Sequence, residues 1–280
     1  MKGRDTLFVE GTRREREGIT LLELLTVIAI VSALGALSLP ALSLARARTQ
    51  RTQCQGNLQQ LQFAWWMYLQ DNEDRLVPNH SRMIGLIFQG TAPSWVLGNA
   101  RWDRNSSNIE AGLLFPYAKA LAAYHCPADR ALTAGEGPRI PRWRSYSLDG
   151  WFNLDVQGKG YRILPNDNPG FKRRLNEVHQ PGPSQVFGFI DEHQDSIDDG
   201  AMAVHDPQHW QDASATRDLN SWMELPSDRH ERGCNLSFID GHVEHWRWRA
   251  PKVFRDYEQP PDSAADQADL QQLQACLPDK

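Results

Sequence analysis

The sequence predicts an α+β protein with a long N-terminal transmembrane helix packed on a head that contains a small antiparallel β-sheet. Three features lead to this prediction: an apolar run over residues 19–39, a helical pattern from Ala41 to Asp71, and a hairpin signal over Asn235–Trp248. The 280 residues suffice for one large soluble domain or two small ones. The net charge of −5 implies no basic face, so nucleic acid is not expected as a partner.

The apolar run Ile19–Leu39 carries a single charged residue, Glu23. As an α-helix it would extend about 31 Å, which is enough to cross the hydrocarbon core of a bilayer. The run is longer than the apolar region of a secretory signal, which has roughly 7–15 residues. Because Arg13, Arg14 and Arg16 precede it, we expect a cytoplasmic N-terminus and a head on the other side of the membrane.

Glu23 lies within this apolar run, where a carboxylate costs on the order of 2.5–3.5 kcal/mol at the bilayer centre and less near the interface. An intramembrane carboxylate is therefore a functional candidate that needs a partner to neutralise it. The alternative is a glutamate that is tolerated near the lipid headgroups and has no function.

Pro40 directly follows the apolar run. We expect it to kink or end the helix, because proline removes one backbone hydrogen bond and clashes with the preceding turn. Beyond it, an apolar stripe recurs every three or four residues: Cys54, Leu58, Leu61, Trp65 and Tyr68. Such a stripe predicts a helix face on which a soluble domain docks.

The clearest signal in the head is Asp240-Gly241, which separates two alternating runs and predicts a β-hairpin. A two-residue turn would place Phe238 opposite Val243 and Leu236 opposite His245. His230 precedes this hairpin and allows two interpretations, a catalytic pair with Asp240 or a structural ring that hydrogen-bonds near the turn. Hairpin chemistry explains Asp-Gly without any reaction, which favours the structural interpretation.

The run Asp191–Gly200 is strongly acidic. Its five carboxylates are Asp191, Glu192, Asp195, Asp198 and Asp199. Oxygen ligands at this density favour Ca²⁺, although the EF-hand pattern and its closing Glu are missing. A solvated acidic loop without metal is the equal alternative.

The four cysteines include no C-x-x-C pair, so a zinc knuckle and a thioredoxin-like motif are excluded. Cys54 lies on the apolar stripe, and Cys126 follows a predicted short helix over Leu113–Ala123 that should pack on that stripe. We therefore predict a Cys54–Cys126 disulfide. The alternative is a pair of buried free thiols that pack as small hydrophobic side chains.

The segment Gly18–Ile30, GITLLELLTVIAI, resembles the prepilin-type cleavage and methylation motif of type IV pilins and type II secretion pseudopilins. The resemblance implies cleavage after Gly18 by a prepilin peptidase, N-methylation of Ile19 and an assembly role for Glu23. It also implies a pilin-like lollipop in which Pro40 lies within a long curved helix. The chain departs from the usual pattern in having Ile19, where the family usually has Phe, and an acid, Glu17, beside the cut.

The resemblance extends into the head. Cys54-x-x-Asn57-Leu58, Cys126-Pro127-Ala128-Asp129, and His230 followed by Asp240-Gly241 are similar to segments of large pseudopilin-like proteins with a C-terminal His-x9-Asp-Gly segment. The predicted organisation is a leader at 1–18, a transmembrane helix at 19–39, a helical stalk at 40–72, an α+β head at 73–258 and a mobile tail at 259–280. At most one weak helix is expected in that tail.

Together these features predict a non-enzymatic structural subunit of a type IV pilus-like or type II secretion assembly. Its expected location is the inner membrane, with one span, a cytoplasmic N-terminus and a periplasmic or extracellular head. The expected partners are a prepilin peptidase, other pilin-like subunits and the membrane. No cofactor is required, and Ca²⁺ is the ion expected if the acidic run binds metal. Two alternatives remain: a membrane-anchored exported hydrolase or carbohydrate-binding protein, and a minor pseudopilin that caps a filament.

Overall fold

A computed structural model describes residues 20–84, 87–158, 161–163, 171–206 and 219–278. The protein is α+β, and the chain divides into two compact units, Met1–Arg46 and Ala47–Lys280. The helices are α1 (Leu21–Asp71), α2 (Ser107–Glu110), α3 (Phe115–Ala118) and α4 (Ala264–Gln274), with 3₁₀ turns at Leu121–Tyr124 and Leu175–Glu177. The strands are β1 (Asn79–Ile84), β2 (Ile87–Gly90), β3 (Tyr146–Asp149), β4 (Leu154–Gly158), β5 (Tyr161–Ile163), β6 (Phe187–Asp191), β7 (Ala201–Met202), β8 (Gly233–Phe238) and β9 (Val243–Arg247).

In the first unit, the described chain is the N-terminal part of α1. Every described side chain from Thr20 to Arg46 is exposed. The helix does not end at Pro40, since α1 continues to Asp71; a bend at this proline stays a prediction. One helix of the described residues, α1, is long and apolar enough to cross a membrane.

In the second unit, the predicted apolar stripe of α1 forms one side of the core. Cys54, Leu58, Leu61 and Trp65 are fully buried, and Tyr68 is half-buried beside them. They pack with buried aromatic side chains of the head: Trp95, Tyr124, Tyr146, Phe152 and Phe189. The stripe is therefore confirmed as the docking face of the helix.

The helix ends at Asp71 because the chain turns left-handed immediately afterwards. Glu73 and Asp74 have φ values of 55° and 58°, a region that continues no right-handed helix. The Asp74 backbone N–H donates to the carbonyl oxygen of Leu69 at 3.0 Å. Two carbonyls of the last turn are thereby satisfied, since the Asn72 side chain also donates to the carbonyl oxygen of Tyr68 at 2.8 Å.

The strands form two mixed sheets rather than the single antiparallel sheet expected from the sequence. The strand orders are β2-β1-β4-β5 and β7-β3-β6-β8-β9. One pair in each sheet is parallel, β1 with β4 and β3 with β7. Parallel partners lie far apart in sequence, and no local turn signal marks them.

The predicted hairpin is present as β8 and β9, but its register differs by one residue. Leu236 lies opposite Glu244, and Phe238 donates its backbone N–H to the carbonyl oxygen of His242 at 2.9 Å. Three residues therefore connect the strands instead of two. The third of them, Gly241, has a φ of 104°, the left-handed position that a three-residue hairpin loop requires.

The tail that was expected to be mobile instead contains α4, which packs on the head. Ser263 caps this helix by accepting a hydrogen bond from the backbone N–H of Asp266 at 3.2 Å. Leu270 and Leu273 are fully buried. The segment is polar in composition, yet its helix is partly buried. Two of its carboxylates are buried because they form ion pairs with a lysine.

Candidate functional site

At the start of α1, Thr20 and Glu23 form a reciprocal N-terminal cap. The Glu23 carboxylate accepts hydrogen bonds from the backbone N–H of Thr20 at 2.9 Å and from its hydroxyl at 2.8 Å. The Thr20 hydroxyl oxygen accepts from the backbone N–H of Glu23 at 3.2 Å. This is the capping-box arrangement, in which Thr and Glu lie three residues apart. Gly18 and Ile19, the predicted cleavage and methylation residues, lie outside the described residues.

The second unit contains a buried group of metal-binding side chains, Cys54, Cys126, Asp191 and His230, which we call the Cys-Asp-His cluster. Their ligand atoms all lie within 4.8 Å of one another. Cys126 Sγ is 3.1 Å from His230 Nε2, His230 Nε2 is 3.5 Å from Asp191 Oδ2, and Cys54 Sγ is 3.9 Å from Asp191 Oδ2. Among the described residues this is the one group of three or more His, Cys, Asp and Glu side chains that converges in this way.

Helix α1 holds the neighbouring loops of this cluster in place. The Asn57 side chain, one turn after the first cysteine, donates to the carbonyl oxygens of Ala122 and His125 at 3.0 and 2.9 Å. Arg51 forms an ion pair with Glu231 at 2.8 Å, directly beside the histidine of the cluster. These contacts give the Cys-x-x-Asn spacing a structural role, because Asn57 fixes the turn that carries the second cysteine.

Electrostatics around the cluster are dominated by Arg229. Its guanidinium donates to Asp191 Oδ1 at 3.0 Å and to Asp129 Oδ2 at 3.1 Å. Burial raises the pKa of Asp191 to about 6, against the opposing effect of Arg229. Burial, Arg229 and His245 together lower the pKa of His230 to about 4, so its imidazole is neutral at pH 7.

The predicted disulfide between Cys54 and Cys126 is not formed in the structure. Both residues are buried free thiols, although the stripe and the Cys-Pro turn bring them together as expected. Each sulfur has a polar partner instead. Tyr146 donates its hydroxyl hydrogen to Cys54 Sγ at 3.3 Å, and Cys126 Sγ contacts the imidazole of His230.

The acidic run Asp191–Gly200 is not a solvated loop. Asp191, Glu192, Asp198 and Asp199 are buried, whereas Asp195 is exposed. The chain itself supplies partners, since the hydroxyls of Ser147 and Ser196 donate to Glu192 and the hydroxyl of Tyr257 donates to Asp198 at 3.2 Å. Asp191 belongs to the Cys-Asp-His cluster, and the other four residues do not. Calcium binding by this run stays a prediction.

Glu224 lies near this acidic run. Its carboxylate is buried and accepts the backbone N–H of Ala203 at 2.6 Å. Burial, together with the charges of Glu192, Asp198 and Asp199, raises the pKa of Glu224 well above its ordinary value of 4.5. A carboxyl group with a raised pKa binds its proton more tightly in the folded state than in the unfolded state.

We expect Glu224→Gln to make the protein less sensitive to alkaline pH. In the wild type, the stabilisation by the protonated carboxyl is complete below pH 4.5 and is lost as the pH rises through the raised pKa. The free energy of unfolding should fall by up to about 1.4 kcal/mol per pH unit over that window. Glutamine keeps the acceptor for the backbone N–H of Ala203 and never ionises.

Urea unfolding from pH 4 to pH 9 measures the difference in pH dependence between the two proteins. Glu136→Gln, which changes an exposed residue, is the control. Parallel pH profiles for the wild type and Glu224→Gln would contradict the raised pKa of Glu224.

The structure separates His230 from Asp240. Asp240 Oδ1 lies 2.6 Å from His242 Nδ1 at the exposed hairpin turn, whereas the ring of His230 contacts Cys126 and Asp191. The catalytic pair of the sequence analysis is therefore not assembled. The expectation that this ring binds near the turn is also wrong, because the imidazole points into the buried cluster.

A cavity of about 430 Å³ lies elsewhere in the second unit. Apolar described side chains lining it include Met83, Phe88, Leu154 and Val156, with Glu224 and Tyr257 among its polar groups. Trp151 and Phe171 stack on each other in its wall with ring centroids 4.7 Å apart. The described wall of the cavity is therefore largely apolar.

Sequence reasoning placed the members of the Cys-Asp-His cluster in three unrelated hypotheses: a disulfide, a calcium loop and a hairpin motif. It missed Arg229 and Tyr146 altogether, because nothing in their local sequence marks them as partners of the cluster. The four ligands form no short metal-binding motif in the sequence, because they come from a helix, a turn, a strand end and a loop. Comparison of the chain with protein-family models, curated proteins and solved structures finds no match.

Proposed function

We propose that this protein is a structural pilin-like subunit of a type IV pilus-like or type II secretion assembly, and not an enzyme. The proposal rests on helix α1, whose first part is apolar and exposed and whose later part is buried in the soluble unit. Its first part exposes apolar side chains, among them Leu21, Leu22 and Val31, which are 74%, 72% and 62% exposed. Its later part supplies the buried stripe of the soluble unit. One continuous helix thus offers a membrane-spanning segment and a core element.

The place of Glu23 supports the same function. It is the one charged residue of the apolar run, and a lone intramembrane carboxylate is costly unless it has a partner. In the proposed assembly, the partner is the α-amino group that leader removal frees on a neighbouring subunit. The N-terminus before cleavage is then cytoplasmic, and the head lies in the periplasm or outside the cell.

Leader processing provides the direct test. We expect co-expression with a prepilin peptidase to remove residues 1–18 and to leave an N-methylated Ile19, which mass spectrometry of the intact chain detects. Gly18→Leu, which places a bulky residue at the cut, should keep the leader. An intact leader in the wild type, or a cut after residue 39, would contradict the proposal.

The alternative of a membrane-anchored exported hydrolase or carbohydrate-binding protein uses α1 only as an anchor. Such a protein works without neighbouring subunits and does not need Glu23. Affinity purification from the native membrane distinguishes the two functions. Recovery of other pilin-like subunits supports the structural role, whereas a subunit-free protein that hydrolyses or binds a glycan supports the alternative.

A further inference from the structure

We propose that the Cys-Asp-His cluster is a structural site for one divalent transition-metal ion, and that this ion is Zn²⁺. The site lies wholly within the second unit and does not depend on how the membrane segment is used. It uses different chemistry from the calcium loop expected from the sequence and only one of its residues, Asp191.

The spacing of the four ligand atoms suits tetrahedral coordination. Zinc bonds of about 2.0–2.3 Å to oxygen, nitrogen and sulfur place neighbouring ligand atoms about 3.3–3.8 Å apart. The measured separations are 3.1 Å from Cys126 Sγ to His230 Nε2, 3.5 Å from His230 Nε2 to Asp191 Oδ2, and 3.9 Å from Cys54 Sγ to Asp191 Oδ2. All pairs lie within 4.8 Å, so side-chain shifts of about 1 Å or less complete the tetrahedron.

The ligand types select the metal. Two thiolates and an imidazole are typical zinc ligands, with a carboxylate as an accepted fourth, whereas Ca²⁺ takes oxygen ligands only. On binding, each thiol releases its proton to solvent. His230 binds through the lone pair of Nε2 and keeps its proton on Nδ1, and Asp191 binds through Oδ2. Two thiolates, one carboxylate and a divalent ion leave a charge of −1 beside the guanidinium of Arg229, which also pairs with Asp129.

The surroundings already supply the hydrogen bonds that orient such ligands. Arg229 holds the outer oxygen of Asp191 at 3.0 Å and leaves Oδ2 facing the cluster. Tyr146 donates to Cys54 Sγ at 3.3 Å. The backbone N–H of Cys126 donates to Ser145 Oγ at 3.1 Å. Outer partners of this kind fix ligand orientation in metal sites and contribute to metal affinity.

A disulfide would use the same two sulfurs but suits the surroundings less well. It would remove the thiol contacts of Asp191 Oδ2 and His230 Nε2, which lie 3.5 Å from each other. A buried polar atom left without a good hydrogen bond costs about 1–3 kcal/mol, and more if charged. A metal ion instead gives every one of these atoms a bond.

The site is closed, because four protein ligands, all buried, fill a tetrahedral shell. A closed site has no open position for substrate, so its role is structural. The ion joins α1 to the Cys-Pro turn, to the end of β6 and to the loop before β8. Since the four segments are distant in sequence, the free energy of metal binding contributes directly to folding of the second unit.

Metal analysis of the full-length chain, purified in detergent with a reductant and without added metal, tests the proposal. We expect about one Zn²⁺ per chain. After chelation, added Co²⁺ should produce a thiolate-to-cobalt charge-transfer band and raise the unfolding temperature. His230→Ala and Cys126→Ser should lose both the zinc and the band. Cys276→Ser, which changes a buried thiol outside the cluster, should keep them.

Tyr146→Phe keeps all four ligands and the ring in the core, so it tests the site even if ligand variants fail to fold. We expect it to bind metal about 10–100-fold more weakly, as loss of an outer partner predicts. Three outcomes would overturn the proposal: reduced wild-type protein without zinc and without a cobalt band, an unchanged band in folded His230→Ala, or peptide mapping that finds Cys54 and Cys126 disulfide-linked in protein from the native membrane.

Discussion

Glu23→Gln is expected to abolish incorporation of the chain into filaments or secretion complexes while leaving membrane insertion intact. Glutamine also completes a capping box with Thr20, so this variant keeps the N-terminal cap seen in the structure. It removes only the negative charge that would pair with the α-amino group of a neighbouring subunit. Co-purification of other subunits from solubilised membranes, and fractionation of the chain itself, measure the two properties separately.

The matched variants separate charge from capping. Glu23→Ala removes both and should fail to assemble to the same degree, with an added loss of about 1 kcal/mol for the cap. Thr26→Ala removes another polar side chain of the same segment, whose hydroxyl donates to the backbone carbonyl oxygen of Glu23 at 2.9 Å; it should assemble normally. If Glu23→Gln assembles like the wild type, Glu23 is a helix cap and the charge pairing is wrong.

The features that the sequence predicted well are those that depend on a local pattern of apolar residues. The apolar run and the stripe from Cys54 to Tyr68 both follow from helix geometry, and α1 carries both. Asp240-Gly241 located the hairpin, but not its register, because the same dipeptide serves two-residue and three-residue loops. Gly241 has a positive φ in either loop, so the two are distinguished by Asp240, which is not in the left-handed region, and by the pairing of Phe238 with His242.

The candidate metal site could not be predicted in the same way. Its cysteines were paired correctly in space, because the stripe fixes one and the Cys-Pro turn that packs on it fixes the other. The approach of Asp191 and His230 depends on the order β6-β8 in the second sheet, which results from long-range strand pairing. No local pattern encodes that order, so the residues were assigned separate roles.

In the tail, the polar composition led to a wrong prediction. Residues 259–280 are rich in Asp and Gln, which suggested mobility. Yet Asp269 is fully buried and Asp266 nearly so, because both accept hydrogen bonds from the buried amine of Lys252. A charge that is neutralised inside the protein looks identical in sequence to one that is solvated.

Lys252→Met is accordingly expected to destabilise the second unit by about 3–5 kcal/mol, the cost of breaking a buried ion pair. Asp266 loses its cation, whereas Asp269 keeps its ion pair with Arg249 at 3.0 Å. Lys252 Nζ lies 2.7 Å from Asp266 Oδ1 and 2.8 Å from Asp269 Oδ2. It also lies 4.8 and 5.0 Å from the ring centroids of Trp222 and Trp248, and cation–π attraction adds to the loss. The unfolding temperature should fall by about 6–20 °C, at about 2–4 °C per kcal/mol for a domain of this size.

Two further variants identify the cause of that loss. Lys119→Met makes the same change at an exposed lysine and should alter stability by less than about 0.5 kcal/mol. Adding Asp266→Asn to Lys252→Met removes the carboxylate left without its cation, so the double variant should be more stable than the sum of the two single changes predicts, by about 0.5–3 kcal/mol. Strict additivity, or a loss below about 1 kcal/mol in Lys252→Met, would mean that α4 is held by its leucines alone and that the buried ion pairs do not fix the tail.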